Sequence, residues 1–146
     1  MSAYALGWHS DIGLHFLRLF ASGVFDRFPR LRLLVGHMGE MLPFMGDRIE
    51  RFVLRWQARE RCFRKVWEES IWVTTSGMFT LASLTCLLRT VSVERILFGI
   101  DYPFESNQQG SQFIKDIQES RLVTDEELAM ITYRNAEALL KVKVEV

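Results

Sequence analysis

A chain of 146 residues is long enough to bury one sizeable core and too short for two domains. Its 18 basic and 18 acidic residues cancel, which argues against nucleic acid or an anionic membrane as a partner. An apolar fraction of 49 % excludes disorder, and no apolar run approaches the roughly 20 residues of a membrane-spanning helix.

Ser10 or Asp11 is placed to cap a helix running to about Phe25, with Leu14, Leu17, Phe20, Ala21 and Val24 on one face. Phe28-Pro29 ends it, and Arg32 to Gly36 reads as a short strand. The pattern from Met41 to about Lys65 is helical, with Ile49, Phe52, Val53 and Trp56 on one face and Pro43 early in the helix. Arg59, Arg61, Arg64 and Lys65 are interleaved with glutamates and read as a solvated face. Ile71 to Thr75 is the second strand, Thr80 to Thr90 a helix, and Arg95 to Ile100 the third strand, stopped by Pro103. Gln108 to Glu119 is helical. Thr124 to Glu127 is a capping box, with a last helix over Thr132 to Lys141.

Alternation of helix and strand at this spacing predicts an α/β fold with a parallel sheet. The three strand ends then lie on one edge, bringing together the loops that start at His37, Ser76 and Asp101. Chemistry in such folds sits at that edge. Three strands beginning with a helix do not close a barrel.

Cys62 and Cys86 are far apart without metal-type neighbours, so a reducing compartment is expected rather than a disulfide framework. Met1 to Gly7 lacks the charged segment and apolar run of a secretory signal, and a cytoplasmic location is the expectation.

Two strand ends carry ionisable residues. His37 lies between Gly36 and Gly39, where imidazole can serve as base, acid or metal ligand. Glu40 can hold its tautomer or simply favour the first turn of the next helix. Asp101 ends a buried strand, so its carboxylate needs a cation or donors beside it, or else caps the turn before Pro103. Trp8, Tyr102 and Phe104 can wall a flat substrate, although core packing is the commoner role for each. His9 and His15 lack the spacing of a metal pair and read as partly buried structural residues.

Several segments together resemble the amidohydrolase-related decarboxylases, in particular the 2,3-dihydroxybenzoate and γ-resorcylate decarboxylases. They are Leu14-His15-Phe16-Leu17-Arg18-Leu19, Ser22 to Pro29, Gly36-His37-Met38-Gly39-Glu40 with Leu42-Pro43-Phe44 and Arg48-Ile49, Thr74 to Gly77, Arg95 to Phe98, Asp101 to Glu105, and Asn135-Ala136. The match runs through nearly the whole chain in order. It implies metal-dependent, non-oxidative decarboxylation of a hydroxylated benzoate in a distorted (β/α)₈ barrel. Asp101 matches the family's metal ligand and proton donor at the end of strand eight. His37 matches the strand-six histidine, and Glu40 the glutamate of that motif. The implied cofactor is a divalent metal, Zn or Mn or Mg, and the implied partner a small aromatic acid.

The departures are as specific. No Glu-x-His or His-x-His pair is present, so Asp101 is one ligand where a catalytic metal takes three from the protein. Met78 follows Ser76-Gly77 where the resemblance implies a polar residue. The expectation is a carboxyl-terminal part of the barrel, residues 1–146, lacking the amino-terminal strands and inactive alone. Its open edges predict marginal stability, a homo-oligomer, or pairing with a missing half. The alternatives are a hydrolase of the same superfamily using a metal-activated water, and a non-catalytic remnant.

Overall fold

A computed structural model of the chain describes residues 3–53 and 59–143. In chain order it runs α1 (Trp8–Ala21), α2 (Val24–Arg27), β1 (Leu33–Val35), α3 (Leu42–Val53), α4 (Phe63–Ser70), β2 (Ile71–Thr74), α5 (Leu81–Leu88), β3 (Ile96–Leu97), α6 (Asn107–Ser120), α7 (Asp125–Ala129) and α8 (Asn135–Leu140). The strands form one parallel sheet in the order β1-β2-β3, with helices in every connection. The alternation read from the sequence is the alternation found.

β2 is central, and its β-branched residues suit a strand paired on both sides. Val35, Val73 and Ile96 stand in register across the sheet and are buried. The core they join is largely aromatic: Phe16 meets Phe25, Phe63 and Trp67, and Phe20 meets Phe63, with ring centroids 5.6–6.1 Å apart. Each such side chain, fully buried, contributes about 1.5–3 kcal/mol over exposure. Alternate residues point to the other face. There Leu34 is largely exposed, and Trp72 lies under the guanidinium groups of Arg32 and Arg95.

Several boundaries differ from the sequence expectation, each for a local reason. α1 begins at Trp8 rather than at Ser10 or Asp11, because a π-helical turn over Ala3–Gly7 feeds into it and Gly7 already has helical torsions. It ends at Ala21, since Gly23 adopts φ +74° and starts the separate short helix α2. Its buried face is Gly13, Phe16 and Phe20, and Leu14 is exposed. The expected helix from Met41 to Lys65 is two helices, α3 and α4, and Trp56 lies outside the described residues. Arg64 of the supposed solvated cluster does pair with exposed Asp47, but Arg61 is mostly covered and bonds Glu69 and Ser70.

The third strand is much shorter than Arg95 to Ile100. After Leu97 the ladder is handed on: Phe98 N–H donates to the Ile131 carbonyl, and Gly99 N–H to the hydroxyl of Thr75. The capping box at Thr124 is present as expected, and Ser106 with Gln109 forms another. α7 continues through a π-helical turn, Met130–Arg134, into α8, so the last helix starts well before Thr132.

Candidate functional site

The three strand ends deliver their loops to one cavity of about 740 Å³, lined by residues of α1, β1 and the loops after β1, β2 and β3. His37 and Glu40 come from the first loop, Gly77 and Met78 from the second, Asp101, Phe104 and Glu105 from the third. The backbone is bent hard to present them. His37, Glu40 and Asp101 have φ of 45°, 54° and 73°, the left-handed region that L residues with side chains rarely occupy. Hydrogen bonds hold these turns in place. Gly39 N–H reaches the Gly36 carbonyl at 2.7 Å, and both Phe104 and Glu105 donate to the Asp101 carbonyl.

The polar groups form a chain across the cavity. Asp101 Oδ2 lies 3.3 Å from His37 Nε2, His37 Nδ1 lies 2.7 Å from Glu40 Oε1, and Glu40 Oε2 lies 2.7 Å from His9 Nδ1. An ionised carboxylate only accepts, so Glu40 draws an N–H from each imidazole. The His37 ring then turns its Nε2 toward Asp101, and it donates there when that nitrogen also carries a proton. Glu40 is 4 % exposed and Asp101 32 %, so the two carboxylates have different work. Glu40 is an internal anchor. Asp101 is the one a ligand can reach.

His37 and Asp101, separated by 64 residues, are therefore brought into contact, and Glu40 bonds the histidine ring rather than merely favouring a helix terminus. Trp8 and Phe104 line the cavity, whereas Tyr102 does not; all three are more than half exposed, so core packing fails as their role. Trp8 stacks edge-on against Tyr4. The expectation for His15 was partial burial, but it is exposed at the cavity rim. His9 also belongs to the site. Its signal in the sequence is weak: a helix starting at Ser10 or Asp11 leaves His9 outside, whereas the helix from Trp8 puts His9 and Gly13 on one face.

The nitrogen and oxygen atoms of His9, His37 and Glu40 lie within 4.8 Å of one another, a donor set of the kind that holds a divalent ion. Both Glu40 oxygens are nonetheless engaged by imidazoles. Asp101 fits such an ion better: it is accessible, faces the cavity, and has only one oxygen engaged among the described residues. One carboxylate is fewer ligands than a catalytic metal takes from protein.

Comparison with known proteins gives this geometry a family. The amidohydrolase family model matches residues 2–142. The decarboxylase orsB of Emericella nidulans is 56 % identical over 139 residues, covering 93 % of this chain and 42 % of that protein. Two solved structures superpose closely. The 2,6-dihydroxybenzoate decarboxylase from Rhizobium does so with a TM-score of 0.78 and 34 % identity, over 88 % of this chain and 40 % of that one. A dihydroxybenzoic acid decarboxylase from Polaromonas, solved with manganese and the inhibitor 2-nitroresorcinol, gives 0.78 and 30 % over 88 % and 39 %. The chain thus spans about two-fifths of the length of these relatives, and its three-stranded α/β unit corresponds to part of their fold. With both the sequence match and the superposition running through nearly all of it, this chain belongs to the amidohydrolase family.

Proposed function

We propose that this chain supplies the Asp101 and His37 side of a site that decarboxylates a hydroxylated aromatic acid. The observation that carries the reading is the contact between His37 Nε2 and Asp101 Oδ2 at the edge of an aromatic-walled cavity. Loss of CO₂ from a benzoate needs a proton delivered to the ring carbon that bears the carboxylate. The C–C bond pair then returns to the ring as CO₂ leaves. Asp101, with His37 against it, holds that proton and gives it up; Glu40 keeps the His37 ring in the orientation that faces Asp101. Trp8 and Phe104 offer flat apolar surface to the substrate ring and reduce its contact with water.

Asp101 would be this chain's ligand to a divalent metal, manganese being the ion in the Polaromonas relative. When bound, the metal supplies positive charge for the substrate's carboxylate and neighbouring phenol oxygen. The remaining ligands would come from outside the described residues. We place the protein in the cytoplasm, in keeping with the free thiols of Cys62 and Cys86, and we read the open edges of the sheet as surfaces that other barrel strands cover.

The test is CO₂ release from 2,6-dihydroxybenzoate by the protein carrying this chain, supplied with manganese. Asp101→Asn and His37→Asn are each expected to lower kcat by about 100-fold or more, and chelation of the metal to abolish turnover. Turnover left near the wild-type rate by either substitution contradicts the assignment.

A further inference from the structure

We propose that His9 is a positioning residue, holding one oxygen of Glu40 so that the other is presented to His37. Its catalytic consequence rests on the decarboxylase reading; its geometry does not.

Two imidazoles meet one buried carboxylate. His9 Nδ1 is 2.7 Å from Oε2 and His37 Nδ1 is 2.7 Å from Oε1, and the two rings touch edge to face with centroids 4.7 Å apart. Glu40 is 4 % exposed, so an oxygen left without a donor has almost no water to turn to. A carboxylate held by one imidazole can swap its oxygens or pivot away. Held at both oxygens by rings from different elements, it has one orientation. His37 Nδ1 is then the nitrogen that carries the proton toward Glu40, and Nε2 is the nitrogen left facing Asp101.

The fold is shaped to bring His9 there. It lies one turn before Gly13 on the same face of α1. At Gly13 a β-carbon would fall 2.9 Å from the Glu40 carbonyl oxygen, a clash with backbone that cannot be relieved by a side-chain movement. Glycine at that position lets α1 press directly on the loop after β1, which carries Glu40 into reach of His9.

Two substitutions separate positioning from simple filling of space. His9→Asn retains an N–H in the place of Nδ1, because both nitrogens are two bonds from Cβ. His9→Leu keeps comparable bulk and removes the donor. In long-range ¹H–¹⁵N spectra of this chain at neutral pH, His37 is expected as the Nδ1–H form in the wild type and in His9→Asn. In His9→Leu it is expected as a mixture of tautomers. Should the leucine variant not fold, as judged by circular dichroism, His9→Phe takes its place. An unchanged His37 signature in the variant without a donor overturns the proposal, as does equal disruption by His9→Asn.

The kinetic arm uses the protein carrying this chain, with manganese and 2,6-dihydroxybenzoate. His9→Leu is expected to lower kcat about 10- to 100-fold with KM little changed, as removal of an outer-shell partner does, and His9→Asn to restore most of the loss. A wild type that never decarboxylates overturns the reading of the reaction while the spectra still judge His9. Unimpaired turnover in an active His9→Leu variant overturns the role given to His9.

Discussion

Thr75 decides where the Asp101 loop leaves the sheet. It is fully buried, its hydroxyl donates to the Gly99 carbonyl at 2.9 Å and accepts from Gly99 N–H at 3.0 Å, and its own N–H reaches Leu97. A side chain thus extends the β2–β3 ladder two residues short of Asp101. Thr75→Val keeps the shape and orphans both Gly99 groups, so urea unfolding should show a loss of about 1–3 kcal/mol. A loss below a few tenths would contradict that role for the hydroxyl. Asn135 does comparable work from α8, donating to the Val93 and Ile96 carbonyls at 2.8 Å, and Asn135→Leu should destabilise by a similar amount. At this scale the sequence was partly legible. His37 and Asp101 stood out because each followed an apolar strand, where position alone suggests chemistry. His9 did not, because a histidine early in a helix carries no such mark until its partner, 31 residues away, is placed.

Elements were legible where a local rule acts alone. The Thr124 capping box was found because Thr and Glu at that spacing satisfy helix N–H groups whatever surrounds them. The bond from Thr124 N–H, then that from its hydroxyl, hold the Glu127 carboxyl below its usual value. A carboxylate depressed in the fold contributes stability that is fully present above its unfolded value and is lost as pH falls through the folded value. The difference in Tm between wild type and Glu127→Gln should therefore be largest near neutrality and shrink on acidification. A constant difference would place the effect elsewhere. Where tertiary contacts act, the sequence was less informative. Periodicity could not shorten β3, because Phe98 bonds Ile131 in the turn before α8 rather than β2, and that partner is distant in sequence.

For the whole molecule, the parallel order of the sheet followed from alternation, but the exposed apolar surface did not. Ile12, Leu34 and Trp8 line one cavity and are each at least half exposed, alongside Tyr4. Contiguous apolar surface of this kind favours association. Leu34→Lys combined with Ile12→Glu should raise the concentration at which the chain remains monodisperse in light scattering; an unchanged threshold would show that this face takes no part. The chain spans about two-fifths of the length of the relatives it matches, and the proposal that other barrel strands cover this surface accounts for its exposure. The proposed reaction turns on Asp101 and the ring proton. In D₂O with manganese, the protein carrying this chain should convert 2,6-dihydroxybenzoate to resorcinol bearing one deuterium at the carbon that lost CO₂, and Asp101→Asn should stop it. Deuterated product at the same rate from Asp101→Asn, or unconsumed substrate with the wild-type protein, would contradict it.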